Sequence, residues 1–277
     1  MEIFEFQFMQ NAFIAAFLVA ICSGIVGMLC VANRMIFLAG GIAHSAYGGV
    51  GIAFFLGVPI MLGASIFVIV VSLFVGYLML KDRERTDALV GVIWAVGMAI
   101  GIIFADFTPG YRDELMSYLF GSLISVSSQD LWVLLVYNLV LIAFIYIYYY
   151  EILSVSYDSS FCAIKNLPVK RFNIILLLFI AIGVIMSMQS VGLILLIALF
   201  SIPAYMSEII CNSLKKAFIC SSLLSFMFMV LGIYISFYMN LPIGPTIILI
   251  AASLFLLQLA LLKIFKFVRK EYYERGT

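Results

Sequence analysis

The sequence predicts an all-α polytopic membrane protein with about nine (eight to nine) transmembrane helices, organised as one domain over residues 1–277. Of its residues, 66% are hydrophobic and 10% are charged, and the mean hydropathy is +1.23. A soluble domain is about half apolar and about a quarter charged. Apolar runs of about 20 residues, the length that crosses a bilayer, recur along the whole chain. Each run should be helical, because an open sheet leaves backbone groups unsatisfied in lipid.

The basic residues indicate how these runs are threaded. When successive spans alternate in direction, fourteen of the fifteen lysines and arginines fall on one side, and only Arg112 falls on the other. Since cytoplasmic loops are enriched in basic residues, this predicts an outside N-terminus and a cytoplasmic C-terminus. An even number of spans would break the pattern, so the charges favour nine. We place the spans at residues 11–33, 35–57, 59–80, 88–107, 130–150, 172–188, 190–206, 217–239 and 245–265.

The most unusual stretch is residues 39–57, which contain six glycines and the only histidine, His44. If residues 35–57 form one span, His44 lies about 14 Å into it, near the middle of a ~30 Å hydrocarbon core. All fourteen acidic residues fall in loops or at span ends, so no other strongly titratable side chain is predicted at this depth. A polar side chain there is a functional-site hypothesis by default. Two plainer interpretations stay open: a ring hydrogen-bonded to a neighbouring carbonyl, and glycines that only pack helices.

One outward loop is predicted to contain a short helix, near residues 112–125. Asp113 and Glu114 precede apolar residues at helical spacing, and acids at a helix N-terminus are favoured by the dipole. Such a helix could dock an external partner or simply cover the end of the bundle.

The cytoplasmic loop 156–172 is the most polar interior stretch. Its centre suggests a short helix that Asn166 ends in a left-handed conformation and that Pro168 stops. An apolar face on that helix could insert into a groove of another protein. The alternative is an ordinary connecting loop with a basic flank.

Several motifs are missing from the sequence. No Gly-Lys dipeptide occurs, so the chain has no Walker A loop to hold a triphosphate. There is no HExxH and no pair of buried carboxylates, and the five cysteines form no CxxC pair. Neither enzymatic chemistry nor nucleic-acid binding is indicated, and any ATP hydrolysis must come from a separate chain.

Three blocks of the sequence occur in an order that points to a family. N-R-M-I-F-L-A-G-G-I-A-H-S-A-Y-G-G-V-G-I-A-F, D-E-L-M-S-Y-L-F-G-S-L-I and Q-S-V-G-L-I-L-L-I-A-L-F-S-I-P-A-Y lie between residues 33 and 205. They resemble the signature blocks of the ABC-3 family, the permease subunits of bacterial and archaeal ABC importers for zinc and manganese. Those blocks are Arg-x-Met…Gly-Asp-x-x-x-His-Ala, Asp-Leu-Met-x-Tyr-Leu-Phe-Gly and Val-Gly-x-Leu-Leu…Ile-Pro-Ala. The last span, I-G-P-T-I-I-L-I-A-A, resembles the family's Gly-Pro start.

The resemblance implies a fold and a set of partners. The fold is that of a type II ABC importer permease, placed in the prokaryotic inner membrane. The partners are a cytoplasmic ABC ATPase subunit, an extracytoplasmic metal-binding protein and a second permease, which is either an identical copy, forming a homodimer, or a different paired permease. Loop 156–172 then occupies the position of the coupling helix that contacts the ATPase. No permanently bound cofactor is implied, since the divalent metal ion (Zn²⁺ or Mn²⁺) is cargo.

The resemblance also assigns roles to residues. In the family pattern an aspartate stands four residues before the histidine, where this chain has Gly40. The loss of that oxygen ligand favours zinc over manganese, because Zn²⁺ accepts nitrogen ligands. Residues with implied roles are His44 as pore ligand, with Ser45 and Tyr47 as further candidates; Gly40, Gly41, Gly48 and Gly49 in pore-helix packing; Phe161, Ala163, Asn166 and Leu167 in ATPase coupling; and Arg112, Asp113 and Glu114 in docking of the binding protein.

The predicted function is therefore ATP-driven import of a divalent transition metal. Two rival functions stay open. An ATPase-independent metal transporter would also use a midplane histidine but would not need loop 156–172. An ABC permease for a siderophore or cobalamin would need the loop but no metal ligand in its pore.

Overall fold

In the described part of the chain, all the regular secondary structure is helical. A computed structural model describes residues 7–81, 86–108, 119, 121, 123, 126–158, 162, 164–165 and 167–275. These residues contain ten α-helices of at least nine residues and no β-strand. In chain order they are α1 (Gln7–Ala32), α2 (Ile36–Leu56), α3 (Ile60–Lys81), α4 (Thr86–Asp106), α5 (Ser128–Ile147), α6 (Tyr149–Tyr157), α7 (Val169–Val191), α8 (Leu193–Ile210), α9 (Leu214–Met239) and α10 (Ile243–Arg275).

Nine helices of the described part are long and apolar enough to cross a membrane, which confirms the predicted fold class and its count. The remaining helix, α6, continues from α5 after a single break at Tyr148. The predicted fifth span, 130–150, therefore ends earlier, and the loop predicted from residue 156 begins as helix. In the part of the chain described, charged side chains of the spans stay within about one turn of a span end, so none accompanies His44 at mid-depth.

The boundary between α7 and α8 is set by Gly192. Its φ of 75° and ψ of 166° are open to glycine and strained for other residues, so the helix breaks there rather than at the predicted residues 189–190. Gly121 also has a positive φ, 70°, and an added Cβ there would collide with the backbone of Val191 and Gly192. The backbone at Gly121 is thus closely packed against the α7–α8 junction. Most of the short helix predicted near 112–125 lies outside the described residues.

Helices α1 and α2 form the centre of the bundle. In each, 78% of the most apolar stretch is buried, against 11% in α10 and 22% in α4. Helix α1 packs against α5, α7, α8 and α9, whereas α2 packs against α3, α4, α7 and α8. The two central helices thus hold nearly all the other spans together.

Buried polar side chains tie α5 to its neighbours. The Asn138 amide nitrogen donates to the Leu18 carbonyl of α1 at 2.9 Å, and the Tyr137 hydroxyl donates to the Phe179 carbonyl of α7 at 2.7 Å. Near the N-terminal end of α5, the Gln189 amide donates to Asp130 at 2.9 Å. These bonds satisfy groups that lipid could not, and they define which helices neighbour α5.

Backbone and side-chain hydrogen bonds together hold the turn that leads into α2. The Met35 N–H donates to the Cys30 carbonyl and the Arg34 N–H donates to the Val31 carbonyl, with Arg34 left-handed at φ 57°. This is the Schellman arrangement that commonly ends a helix. The buried Asn33 side chain donates to the Leu29 carbonyl and accepts a 3.1 Å bond from the Ser156 hydroxyl. The start of loop 156–172 is therefore bonded to the turn that begins α2.

Candidate functional site

His44 lies near the middle of a central helix. It is the ninth of the 21 residues of α2, about 3 Å along the axis from the helix midpoint. The side chain is only partly buried, although its neighbours on both sides along the helix are buried. The one histidine of the protein is therefore placed at mid-depth, on a face of α2 that the single chain does not fully cover.

The His44 ring has an aromatic partner but no hydrogen bond at its buried nitrogen. Nδ1 is buried and has no hydrogen-bond partner among the described residues, so the carbonyl bond of the plainer interpretation is not formed there. One face of the ring is stacked on Trp94 of α4, with ring centroids 3.9 Å apart and planes 11° apart. An unpaired buried nitrogen is uncommon in folded proteins and indicates a missing partner such as an ion or another chain.

Gly40 lies one turn before His44 on the same face of α2. Although its backbone is buried, an added Cβ would meet no atom within 4 Å. The other three glycines assigned to helix packing are different. An added Cβ at Gly41 would collide with the Val90 side chain, one at Gly48 would lie 2.7 Å from the Gly97 carbonyl oxygen, and one at Gly49 would lie 2.8 Å from the Ala64 Cα. Gly40 thus differs from the packing glycines, and open space adjoins the imidazole.

Ser45 and Tyr47 lie in the contact between α2 and α4 rather than beside the imidazole. The Ser45 hydroxyl is fully buried and donates to the Ile42 carbonyl of its own helix at 2.8 Å. Tyr47 is also buried, and its backbone closely approaches Gly101 of α4. None of the described contacts joins either side chain to the His44 ring.

An aromatic face runs along α2 and α4 around His44. Phe37 lies 6.3 Å from Trp94 and Phe55 lies 5.2 Å from Phe104, measured between ring centroids. Phe37 and Phe55 are 45% and 49% exposed. We call these five residues, His44 included, the α2–α4 face. It is apolar except for the imidazole at its centre.

Two cavities flank α2 near its ends. One, of ≈ 430 Å³, is lined by Leu38 and by polar residues that include Arg34 and Asp87. The other, of ≈ 220 Å³, is lined by Val50 together with Met188 and Gln189. His44 is six residues from both Leu38 and Val50, about 9 Å along the helix in each direction.

Loop 156–172 presents an apolar surface. Cys162 is buried and anchors the loop: its N–H donates to the Asp158 carbonyl, and its carbonyl accepts from the Leu167 N–H. Ile164 is 80% exposed and Leu167 is 39% exposed. The other predicted coupling residues, Phe161, Ala163 and Asn166, lie outside the described residues, as do Arg112, Asp113 and Glu114 of the predicted docking site.

Within the described residues, no group of three or more histidine, cysteine or acidic side chains could hold a metal ion. Among the described residues, His44 is the one histidine, and it lies at mid-depth without such a group around it. Sequence reasoning missed its stacking partner, Trp94. A usable signal was present, because the glycines of α2 are matched by Gly97 and Gly101 in the fourth span, and small residues on two spans indicate close packing between them.

Comparison with known proteins yields consistent matches over nearly the whole chain. The profile described as the ABC 3 transport family matches residues 5–262. The membrane protein slr2045 of Synechocystis sp. is 40% identical over 256 residues, which cover 92% of this chain and 91% of that protein. The manganese transport system membrane protein MntC of Listeria monocytogenes is 29% identical over 251 residues, covering 91% of this chain and 89% of that protein.

A solved structure extends the similarity to the fold. PsaBC from Streptococcus pneumoniae, determined in complex with Fab, matches with a TM-score of 0.82 and 29% sequence identity over 91% of each chain. The helical architecture described above is therefore that of a transporter membrane subunit. The family resemblance predicted from the three sequence blocks is confirmed.

Proposed function

Because the chain belongs to the ABC 3 transport family, we propose that it is the pore-forming subunit of an ATP-driven importer for divalent transition metal ions. The matches make the chain a multi-pass membrane component of a metal ABC transporter permease family. The proposal goes further by naming the pore, its ligand and the source of energy.

The observation that carries the proposal is the position of the His44 ring and its lack of a hydrogen bond at Nδ1 among the described residues. Its ring lies at mid-depth, its buried Nδ1 has no hydrogen-bond partner in the part of the chain that the structure describes, and the space over Gly40 is open. A polar ring on a face turned to lipid would be costly, whereas a ring facing a water-filled pore or a partner chain is not. A neutral imidazole nitrogen is a good ligand for a divalent first-row metal.

A second copy of the chain supplies the rest of the pore in this proposal. Two copies related by a two-fold axis would present their α2–α4 faces to each other and bring two imidazoles together. Two nitrogens with water as the remaining ligands would hold an ion briefly rather than trap it, as conduction requires. The aromatic residues of the face would then be covered by protein.

The donor set leads us to propose zinc as the favoured cargo over manganese. An imidazole without the adjacent carboxylate suits Zn²⁺ better than Mn²⁺, which prefers oxygen ligands. The Listeria relative is named for manganese, whereas the name of the Synechocystis relative gives no metal. Mn²⁺ is therefore the competitor against which zinc uptake should be measured.

The energy source and orientation complete the proposal. A separate cytoplasmic ATPase would dock on the exposed Ile164 and Leu167 of loop 156–172, and an extracytoplasmic protein would deliver the metal. The chain would lie in the inner membrane with its N-terminus outside and its C-terminus in the cytoplasm, as the distribution of basic residues favours.

The decisive experiment measures uptake of radiolabelled Zn²⁺ and Mn²⁺ in cells that lack this chain and are complemented with variants. His44→Ala should reduce uptake of the preferred metal to background, because the pore loses its ligand. Tyr47→Phe is the matched control, since it removes a polar group from the same helix without removing the imidazole. Undiminished uptake by His44→Ala, at equal membrane abundance, would rule out the pore-ligand role.

A further inference from the structure

Trp94 of α4 covers one entire face of the His44 imidazole. The ring centroids are 3.9 Å apart and the planes are within 11° of parallel, which is close stacking rather than chance proximity. The contact is unusual because both residues lie inside membrane-spanning helices, where few polar rings occur.

The indole is itself held in place. Its Nε1–H donates to the Met98 sulfur, one turn further along α4, at 3.2 Å. Gly97 allows α4 to approach α2 closely, since an added Cβ would lie 2.6 Å from the Ser45 Cα. The orientation of the indole is therefore determined by its own helix and by the α2–α4 contact.

A neutral imidazole binds an ion in the plane of its ring, and the stacked indole fixes the orientation of that plane. The lone pair of a neutral imidazole nitrogen lies in that plane, and the covered face excludes other groups. Without the stack, rotation about χ2 would let the ring plane sweep through a broad range of orientations. A single ligand per chain makes this orientation more important, because no second side chain corrects it.

We propose that Trp94 is a positioning residue for metal transport, which holds the His44 ring so that its nitrogen lone pair faces the transported ion. The proposal rests on the proposed function, in which His44 is the pore ligand. The roles differ: His44 contacts the ion, and Trp94 acts only through His44.

The two tryptophans of the chain make this testable by fluorescence. Trp132 of α5 is 68% exposed, so Trp132→Phe leaves Trp94 as the sole tryptophan of the permease at little structural cost. Zn²⁺ added to the purified Trp132→Phe permease in detergent should change the Trp94 emission saturably, because the ion binds to the stacked ring. The same titration of Trp132→Phe/His44→Ala should show no saturable change. A flat titration of Trp132→Phe, under conditions where direct binding of radiolabelled Zn²⁺ is detected, would overturn the proposal.

Transport kinetics separate positioning from a merely structural role. Trp94→Phe retains a flat ring and should keep the half-saturating Zn²⁺ concentration near that of the unaltered protein. Trp94→Leu removes the stack and should raise that concentration about tenfold, the scale of one lost aromatic contact. Trp132→Leu, at an exposed site on α5, is the matched control and should leave the half-saturating Zn²⁺ concentration unchanged.

The outcomes distinguish this proposal from the one on which it rests. If His44→Ala abolishes uptake while Trp94→Leu leaves the half-saturating concentration unchanged, the positioning role fails and the pore-ligand role survives. A fall in membrane abundance without a change in that concentration also overturns the positioning role, because it indicates structural support only. Undiminished uptake by His44→Ala removes both.

Discussion

At the scale of single residues, Gly40 determines what kind of site His44 can form. The two residues are one turn apart on the same face of α2, and the direction in which a Gly40 side chain would grow is open. The family pattern has an aspartate at this place. Its absence leaves an imidazole alone where a carboxylate–imidazole pair would otherwise stand, and the surrounding structure has not filled the space.

Restoring that carboxylate should therefore change selectivity. Gly40→Asp adds an oxygen ligand beside His44 without displacing any neighbour, so we expect normal membrane abundance and a Mn²⁺:Zn²⁺ uptake ratio raised by about tenfold. Competition between the two radiolabelled metals measures this ratio.

Gly41 supplies the control for this prediction. Its added Cβ would collide with the Val90 side chain, and such overpacking costs about 1–3 kcal/mol. Gly41→Asp should lower abundance and thermal stability in detergent, whereas Gly40→Asp should not. Equal losses in the two variants would contradict the open space described beside His44.

At the scale of elements, α2 is connected directly to the loop proposed to contact the ATPase. The Ser156 hydroxyl donates to Asn33, and Asn33 lies in the turn that precedes the first residue of α2. The bond bridges 123 positions in sequence, so it joins the two halves of the chain. We therefore expect movement of the loop to reach the helix that carries the imidazole.

Loss of this bond should uncouple transport from ATP hydrolysis. Ser156→Ala removes about 1 kcal/mol of hydrogen bonding, so we expect transport per ATP hydrolysed to fall by about fivefold while the ATPase still associates. Proteoliposomes containing the full transporter measure this ratio. Ser154→Ala is the control, because the Ser154 hydroxyl donates only within its own helix, to the Tyr150 carbonyl.

A pull-down with the ATPase, run beside the transport assay, separates coupling from docking. Ile164→Glu places a charge on the most exposed apolar residue described in the loop, so it should abolish association with the ATPase in a pull-down. A variant at Ser156 that also loses association, or one that leaves transport per ATP unchanged, would contradict a transmitting role for the bond.

At the scale of the whole molecule, the α2–α4 face is where a second copy is expected. The outer spans α3, α4, α5 and α10 expose most of their apolar side chains, as lipid-facing helices do. Among these surfaces the α2–α4 face alone carries, in the part of the chain described, a titratable ring at mid-depth. The other surfaces are apolar and can face lipid. The α2–α4 face carries a polar ring, so we expect a polar or protein neighbour there.

Cross-linking in membranes can locate the two-fold axis. A cysteine at Gly40 should give a covalent dimer with a short bifunctional thiol reagent, in a background where the partly exposed Cys211 and Cys220 are replaced by serine. A cysteine at Leu249, 68% exposed on α10, should stay monomeric. Dimer formation by the Leu249 variant but not by the Gly40 variant would place the interface elsewhere.

Much of the architecture could be predicted because it depends on local properties of the sequence. Nine apolar runs of spanning length, with basic residues biased to one side, were sufficient for the fold class and the span count. Boundaries were less accurate where a single backbone conformation decided them. Gly192 ends α7 through its positive φ, and the break at Tyr148 starts an extra helix, neither of which hydropathy reports.

The sequence by itself determined that one imidazole lies at mid-depth and that a carboxylate is missing four residues before it, because both are matters of order along one helix. Only the tertiary structure decided that Trp94 stacks on that ring, that Gly40 borders open space and that Ser156 reaches Asn33. The Trp94 and Ser156 contacts join residues 50 and 123 positions apart, and the space beside Gly40 depends on what other helices leave unfilled. All three features therefore depend on which helices pack together. The question about His44 is accordingly no longer only whether it binds a metal but how its ring is held while it does so.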